Sequence, residues 1–319
     1  MIVALQPSDD AVVAAVTDRL DAAGIPAAAT EARWLVEHVR SAAPGGDGGA
    51  TLAAGPLREE LEALVRRRVG REPLQLLLGR WPFRTVELEL AAGVFVPRPE
   101  TEVVAGVAIE QARRRGAAPV VAEPCTGTGA IACSLLAEVP DVEVYATDRD
   151  PSAVALARRN LAGVMVAAGT TGRGEVLEGD LLAPLPARLR GRLDVLVANP
   201  PYLPSGDRDA LAPEVADHDP PGALFGGPDG HEVVDRLLAA APRWLRPGGA
   251  VVVEIDDRRG PSACAAARAA GLRQVHLVAD LAGRDRAVVG TSMGFAGGAR
   301  EGEERPGGVQ ERSRVVGEA

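Results

Sequence analysis

Of only two asparagines and two tyrosines in the chain, one of each falls in a single tetrapeptide, Asn199-Pro200-Pro201-Tyr202. It closes the apolar run Leu193 to Ala198, so it stands at the end of a predicted strand. Asn199 offers a side-chain carbonyl. Pro201 has no N–H and biases Pro200 toward extended backbone, which presents the Pro200 carbonyl instead of losing it in a ladder. Two acceptors side by side hold both N–H bonds of a planar NH2 group and aim its nitrogen at an electrophilic methyl carbon. Tyr202 supplies an aromatic face for such a group. Catalysis of this kind is mostly positioning, and no general base is assigned. The plain alternative is a turn, since Asn-Pro is a common turn starter.

A second chemical segment is Glu123-Pro124-Cys125-Thr126-Gly127-Thr128-Gly129, which follows one predicted strand and opens a helix. Gly127 and Gly129 permit a tight bend and close approach to a ligand. The spacing Gly127-x-Gly129-x-x-Ala132 also fits a nicotinamide-dinucleotide fingerprint. Asp148 ends the next strand, where its carboxylate is placed to accept both hydroxyls of a ribose. Asp180 follows Gly179 after the third strand, placed to receive an adenine amino group with the Leu181 backbone beside it. Each acid alone also reads as a helix-capping turn, with Asp150 before Pro151. Together they imply a nucleoside ligand, whose reactive end is either a hydride donor or a sulfonium.

These residues need a sheet to gather them. From Pro119 onward short apolar strands alternate with helices. The expected strands are Val120 to Ala122, Val142 to Ala146, Glu175 to Leu177, Leu193 to Ala198, Ala250 to Ile255, Gln274 to Val278 and Arg286 to Val289. The helices include Ile131 to Glu138, Ala153 to Leu161, Glu232 to Trp244 and Ser262 to Ala270. Such alternation predicts an α/β, doubly wound, mainly parallel sheet, with the last two strands as an antiparallel edge hairpin. Residues 8 to about 80 read as a small helical bundle, with a Gly/Ala-rich loop at Ser41 to Gly55 and Pro56 opening a helix. Thr85 to Leu90 alternates with period two and is expected to turn at Ala91-Ala92-Gly93 into Val94-Phe95-Val96. The expected organisation is a helical substrate-recognition domain at 1–82, a hairpin and linker at 83–118, a catalytic domain at 119–290, and a disordered tail at 291–319.

Composition limits the partners. The 319 residues include 46% hydrophobic and 25% charged residues, the balance of a soluble protein. The net charge of -9 argues against broad binding to nucleic acid. No apolar run is long enough to span a bilayer, and the first ten residues lack the pattern of a secretory signal. Three cysteines without metal-ligand spacing disfavour a disulfide framework or a structural metal. A cytoplasmic monomer is the expectation. Every basic residue is Arg, which reflects coding bias.

The combination of further segments is more specific. They are Arg71-Glu72-Pro73-Leu74-Gln75 with Gly79, Val94 to Glu102 containing Pro97-Arg98-Pro99-Glu100-Thr101-Glu102, Ala223 to Gly230, Pro247-Gly248-Gly249 and Asp280 to Arg286. With the glycine loop and Asn199 to Tyr202, they make residues 10 to 290 resemble the protein-(glutamine-N5) methyltransferases that modify peptide-chain release factors. The resemblance implies a seven-stranded Rossmann-like class I methyltransferase domain after a helical domain. It implies S-adenosylmethionine as donor and the glutamine amide of a Gly-Gly-Gln loop as acceptor. By matching positions it places Glu123, Thr126, Gly127, Gly129, Asp148, Asp180, Leu181 and Asn199 at the donor. Asn199, Pro200, Pro201 and Tyr202 fall at the amide, with Arg98 and Glu100 over the active site as substrate contacts or structural clamps. Glu123 stands where the family usually has Asp, Pro124-Cys125 replaces Leu-Gly, and Asp219-Pro220 replaces Glu-Pro. Phe95 and the His218-Asp219-Pro220 region resemble a divergent actinobacterial paralogue group. They leave open a nucleic-acid exocyclic amine or a small-molecule amide or amine as acceptor.

Overall fold

The computed structural model describes residues 9–42, 52 and 55–294. Most of the loop expected at Ser41 to Gly55, and the tail from residue 295 on, lie outside the described residues. Helices α1 (Asp10–Ala22), α2 (Ala28–Ser41) and α3 (Pro56–Val69) form because apolar residues recur every three or four positions. Val16, Leu20, Leu35, Val36, Val39, Leu61 and Val65 meet in one core. Pro56 occupies the first turn of α3, where its missing N–H costs nothing. The short α4 (Leu74–Leu78) stops at Gly79, which takes a left-handed conformation with φ 70°.

The hairpin differs from expectation. Strand β2 (Val86–Glu89) pairs backward with β1 (Arg80–Phe83), and the turn falls at Arg84-Thr85. Val94-Phe95-Val96 forms no strand; Val94 instead packs on Ala153 and Leu156. The sequence concealed β1 because Pro82 sits inside it. Proline is tolerated in this isolated ribbon of two strands but argues against a strand when read alone.

Helix α5 (Thr101–Arg113) then leads into the main sheet. The strands are β3 (Val120–Pro124), β4 (Glu143–Asp148), β5 (Arg173–Glu178), β6 (Leu193–Ala198), β7 (Leu245–Glu254), β8 (Arg273–Ala279) and β9 (Asp285–Thr291). Their order is β5-β4-β3-β6-β7-β9-β8, parallel except for β9, which runs antiparallel to both neighbours. All seven overlap the expected strands, although β7 starts at Leu245, five residues before the expected Ala250, and the edge hairpin is as predicted. β9 extends to Thr291 and Ser292 still bonds to Gly249, so the expected tail does not begin at 291. Helices α6 (Ala130–Glu138) and α7 (Pro151–Ala168) cover one face with α5. After the short α8 (Pro213–Ala216) and α9 (Pro221–Leu224), helices α10 (Glu232–Trp244) and α11 (Gly260–Ala269) cover the other. All six residues of β6 are buried, which explains why every one of them but Asp194 is apolar.

The chain steps outward from β3 to β4 and β5, then returns to β6 on the other side of β3. That reversal opens a crevice at the carboxyl ends of β3 and β6. Asn160 on α7 stiffens its rim. Its Oδ1 accepts from the Glu89 N–H at 2.8 Å, and its Nδ2 donates to the carbonyls of Glu89 and Thr128 at 3.0 and 2.9 Å. Replacing Asn160 with Leu leaves three backbone groups without partners. Stability should fall by at least about 2 kcal/mol, read by urea unfolding. A loss within error of zero would show that water replaces these bonds.

Candidate active site

The glycine bend links two strand ends. Gly127 adopts φ +55°, and a β-carbon there would meet no atom within 4 Å, so the bend leaves open space above it. Gly129, at φ +81°, packs so tightly on α7 that a β-carbon would meet Leu161 at 2.8 Å. Gly127 donates its N–H to Asp148 Oδ2 at 2.9 Å, and Asp150 donates its N–H to Oδ1 at 3.0 Å. Two backbone donors thus fix the carboxylate while leaving lone pairs on each oxygen. Thr126 anchors the other side through its N–H to the Thr147 carbonyl at 3.0 Å.

Glu123 is buried beneath the bend. Its Oε2 accepts from the Thr126 hydroxyl at 2.8 Å and the Ala132 N–H at 2.9 Å. Burial outweighs these donors and pushes its carboxyl up to about 8. Cys125 occupies a left-handed position at φ 60°. Burial and the carboxylates of Asp148, Asp180 and Glu123 push its thiol up, so it stays protonated and poorly nucleophilic. Asp180, half-exposed at the mouth, pairs with Arg236 of α10. Leu181 beside it takes φ 49°, and its carbonyl accepts from Thr147 Oγ1 at 2.5 Å.

Asn199 reaches the same cleft from β6. The lining includes Thr101, Glu123, Gly127, Asp148, Asp180, Leu181, Asn199 and Pro201. Asn199 Nδ2 donates to Thr101 Oγ1 at 3.1 Å. Pro200 and Tyr202 are outside this lining. Tyr202 packs in the core beneath, and its hydroxyl donates to Glu254 Oε1 at 3.2 Å. Burial, and then the Glu254 charge, push the phenol up and keep it protonated. Glu254 ends β7 almost fully buried, which pushes its carboxyl up to about 7.

Arg98 and Glu100 are engaged within the protein. Arg98 pairs with Asp219 and lies over the Phe95 ring, 5.1 Å from its centroid. Burial raises the Asp219 carboxyl even against that guanidinium. Glu100 pairs with Arg284 at 3.4 Å. Sequence reasoning missed the purpose of Gly226 and Gly230. A β-carbon on Gly226 would collide with the Pro201 carbonyl, and one on Gly230 with that of Tyr202. The run Ala223 to Gly230 therefore backs the tetrapeptide. It also missed Asn160, although the scarcity that singled out Asn199 applied equally.

A glycine bend, a carboxylate at the next strand end and a polar post-strand turn around one crevice fit an enzyme of the doubly wound class that binds a nucleoside. Residues 109–215 match the family model described as the methyltransferase small domain. The release factor glutamine methyltransferase of Streptomyces coelicolor is 41% identical over 249 residues, 78% of this chain and 85% of that one. That of Mycolicibacterium smegmatis is also 41% identical, over 88% of this chain and 96% of its own. A 4-amino-L-phenylalanine/4-methylamino-L-phenylalanine methyltransferase of Streptomyces pristinaespiralis is 38% identical over 80% and 85%. The chain belongs to the release factor glutamine methyltransferase family. It is an enzyme, and its methyl donor is S-adenosylmethionine. No helix among the described residues is long and apolar enough to cross a membrane.

The buried acids set a pH dependence of stability. Glu123 and Glu254 hold protons in the folded state up to about 8 and about 7, against 4.5 ordinarily. The folded protein therefore binds more protons than the unfolded chain between about 4.5 and 8. The stability this confers is complete below that window and lost as pH rises through it. Melting temperature should fall from pH 5 to pH 8, and Glu254→Gln should flatten the part that ends near 7. A melting temperature that rises over this range would contradict the assignment.

Proposed function

We propose that this enzyme methylates the side-chain amide nitrogen of glutamine in the Gly-Gly-Gln loop of peptide-chain release factors. The supporting observation is the placement of Asn199, which lines the cleft that also holds the Gly127 bend and Asp148. The cleft lining suits a cationic sulfonium. It carries carboxyl groups on Asp148, Asp150 and Asp180, with the Glu123 carboxyl kept protonated up to about 8 by burial, against the two guanidiniums of Arg149 and Arg236.

Asp148 holds the ribose hydroxyls with the lone pairs its two backbone donors leave. Gly127 keeps the bend open, and the Leu181 backbone with Asp180 faces the adenine. Bound there, S-adenosylmethionine supplies a methyl group already activated by its sulfonium charge. Asn199 Oδ1 accepts an N–H bond of the amide and helps to orient its nitrogen in line, while Pro200, outside the cleft lining, shapes the turn behind it. Pro201 keeps that turn rigid. Tyr202 contributes by packing under the turn, and its protonated phenol is not a base. The amide nitrogen would gain the methyl as the carbon–sulfur bond breaks to leave a neutral thioether, and would give one proton to water.

The helical segment at 1–82 is the natural candidate for holding the release factor, with the catalytic unit at 119–290 and the hairpin and linker at 83–118 between them. The enzyme works in the cytoplasm, where release factors act.

Asn199→Ala should lower turnover on a recombinant release factor by about 100-fold or more while S-adenosylmethionine affinity stays within about twofold. Mass spectrometry of the tryptic glutamine peptide reads the product. Near-normal turnover would remove the role given to Asn199. Transfer to 4-amino-L-phenylalanine with none to release factors would replace the substrate. Asp148→Ala should weaken S-adenosylmethionine binding at least about tenfold by calorimetry, about 1.4 kcal/mol. Unchanged affinity would remove the ribose assignment.

A further inference from the structure

An asparagine can serve as an acceptor for the substrate amide only if its own NH2 faces away. Nothing in the asparagine itself ensures this, because a neighbouring hydroxyl bonds equally well to either end of its amide. Thr101 Oγ1 is that neighbour, 3.1 Å from Asn199 Nδ2 and almost fully buried. If Thr101 kept its proton for Asn199, the amide would turn and present N–H bonds to N–H bonds.

Glu254 breaks the tie. An ionised carboxylate only accepts, and buried in the protein it needs donors. Tyr202 gives its hydroxyl to Oε1, while Oε2 completes no close hydrogen bond. The Thr101 hydroxyl lies beside this carboxylate and favours its charged form. With its proton directed there, the Thr101 oxygen has only lone pairs left for Asn199. Among the described residues no hydrogen bond to Asn199 Oδ1 is made, and Asn199 lines the cleft.

We propose that Thr101 is a positioning residue for methyl transfer: held by Glu254 as a donor, it accepts from Asn199 and so fixes the asparagine's carbonyl oxygen toward the substrate amide. This deepens the reading of Asn199 as the amide's acceptor and rests on it. Glu254 is faced by Thr101 and Glu100 from the start of α5, by Tyr202 after β6 and by Arg286 from β9. When Glu254 is protonated it becomes a donor to Thr101, and the constraint on Asn199 is lost.

The test compares Thr101→Val, Thr101→Ser, Glu254→Gln and Asn199→Ala on a recombinant release factor. Thr101→Val keeps the shape and removes the hydroxyl. Its kcat should fall by about 30- to 100-fold, with KM and S-adenosylmethionine affinity within about threefold. Thr101→Ser should restore kcat to within about threefold of the parent enzyme. The parent and Thr101→Ser should lose kcat as pH falls through about 7; Thr101→Val and Glu254→Gln should be flat there. A merely structural threonine would lower the profile without changing its shape, which overturns the proposal. So does a Thr101→Val enzyme of normal kcat, or a serine that fails to rescue. If Thr101→Val does not fold, the flat profile of Glu254→Gln against the sloping one of Thr101→Ser decides. Should Asn199→Ala itself retain normal turnover, the acceptor reading fails; loss in Asn199→Ala with none in Thr101→Val rejects the threonine alone.

Discussion

The crevice is built from carboxylates, and the fold depends on giving each of them a donor. Asp148 takes two backbone N–H bonds, and Glu123 takes one backbone N–H with the Thr126 hydroxyl. Asp219 takes the Val96 N–H and Arg98, and Asp180 takes Arg236. A buried carboxylate without such partners would be expelled or stay neutral. Glu123 and Glu254, the deepest of them, approach that limit, since burial outweighs their donors. The acidity attracts a cationic ligand, and the donors keep the acids in place without one.

These donors come from elements far apart in sequence, so the site is also a clasp. The segment after β6 is held from two directions. Asp219 ties it to Arg98 of the stretch before α5, and Glu214 of α8 accepts from Arg68 and Arg71 at 3.0 and 2.8 Å. Arg68 is buried and also pairs with Glu31 of α2 at 2.6 Å. A buried guanidinium bonded to two carboxylates is costly to disturb from either side. The N-terminal helices are therefore attached to the wall of the cleft by specific buried charge, through contacts that an apolar packing appendage would not need.

What the sequence disclosed follows from how local each signal is. The seven strands were legible because β6 and its neighbours carry short, mainly apolar stretches bounded by turns. The bend at Gly127 to Gly129 was legible because left-handed positions favour glycine. Cys125 sits at such a position without being glycine, and nothing local predicted that. Strand β1 was hidden by Pro82, and the pairing of β2 was consequently assigned to the wrong partner. Asn160, Glu214, Gly226 and Gly230 act on residues 25 to 146 positions away, through hydrogen bonds, ion pairs or close backbone packing that leave no periodic trace.

Scarcity, by contrast, proved to be a signal of constraint and not of chemistry. Asn160 and Asn199 both make specific hydrogen bonds that another residue type would not reproduce, yet only Asn199 reaches the cleft. Tyr145 and Tyr202 are both core residues whose hydroxyls find a glutamate, Glu143 at 2.5 Å and Glu254 at 3.2 Å. A composition that avoids a residue type retains it where geometry demands it, whether the demand is a brace or an acceptor. Telling the two apart takes the position of the side chain relative to the switch point of the sheet. Asn199 lies there because β6 is the strand to which the chain returns after reversing direction. Asn160, one helix away on α7, holds the rim from behind.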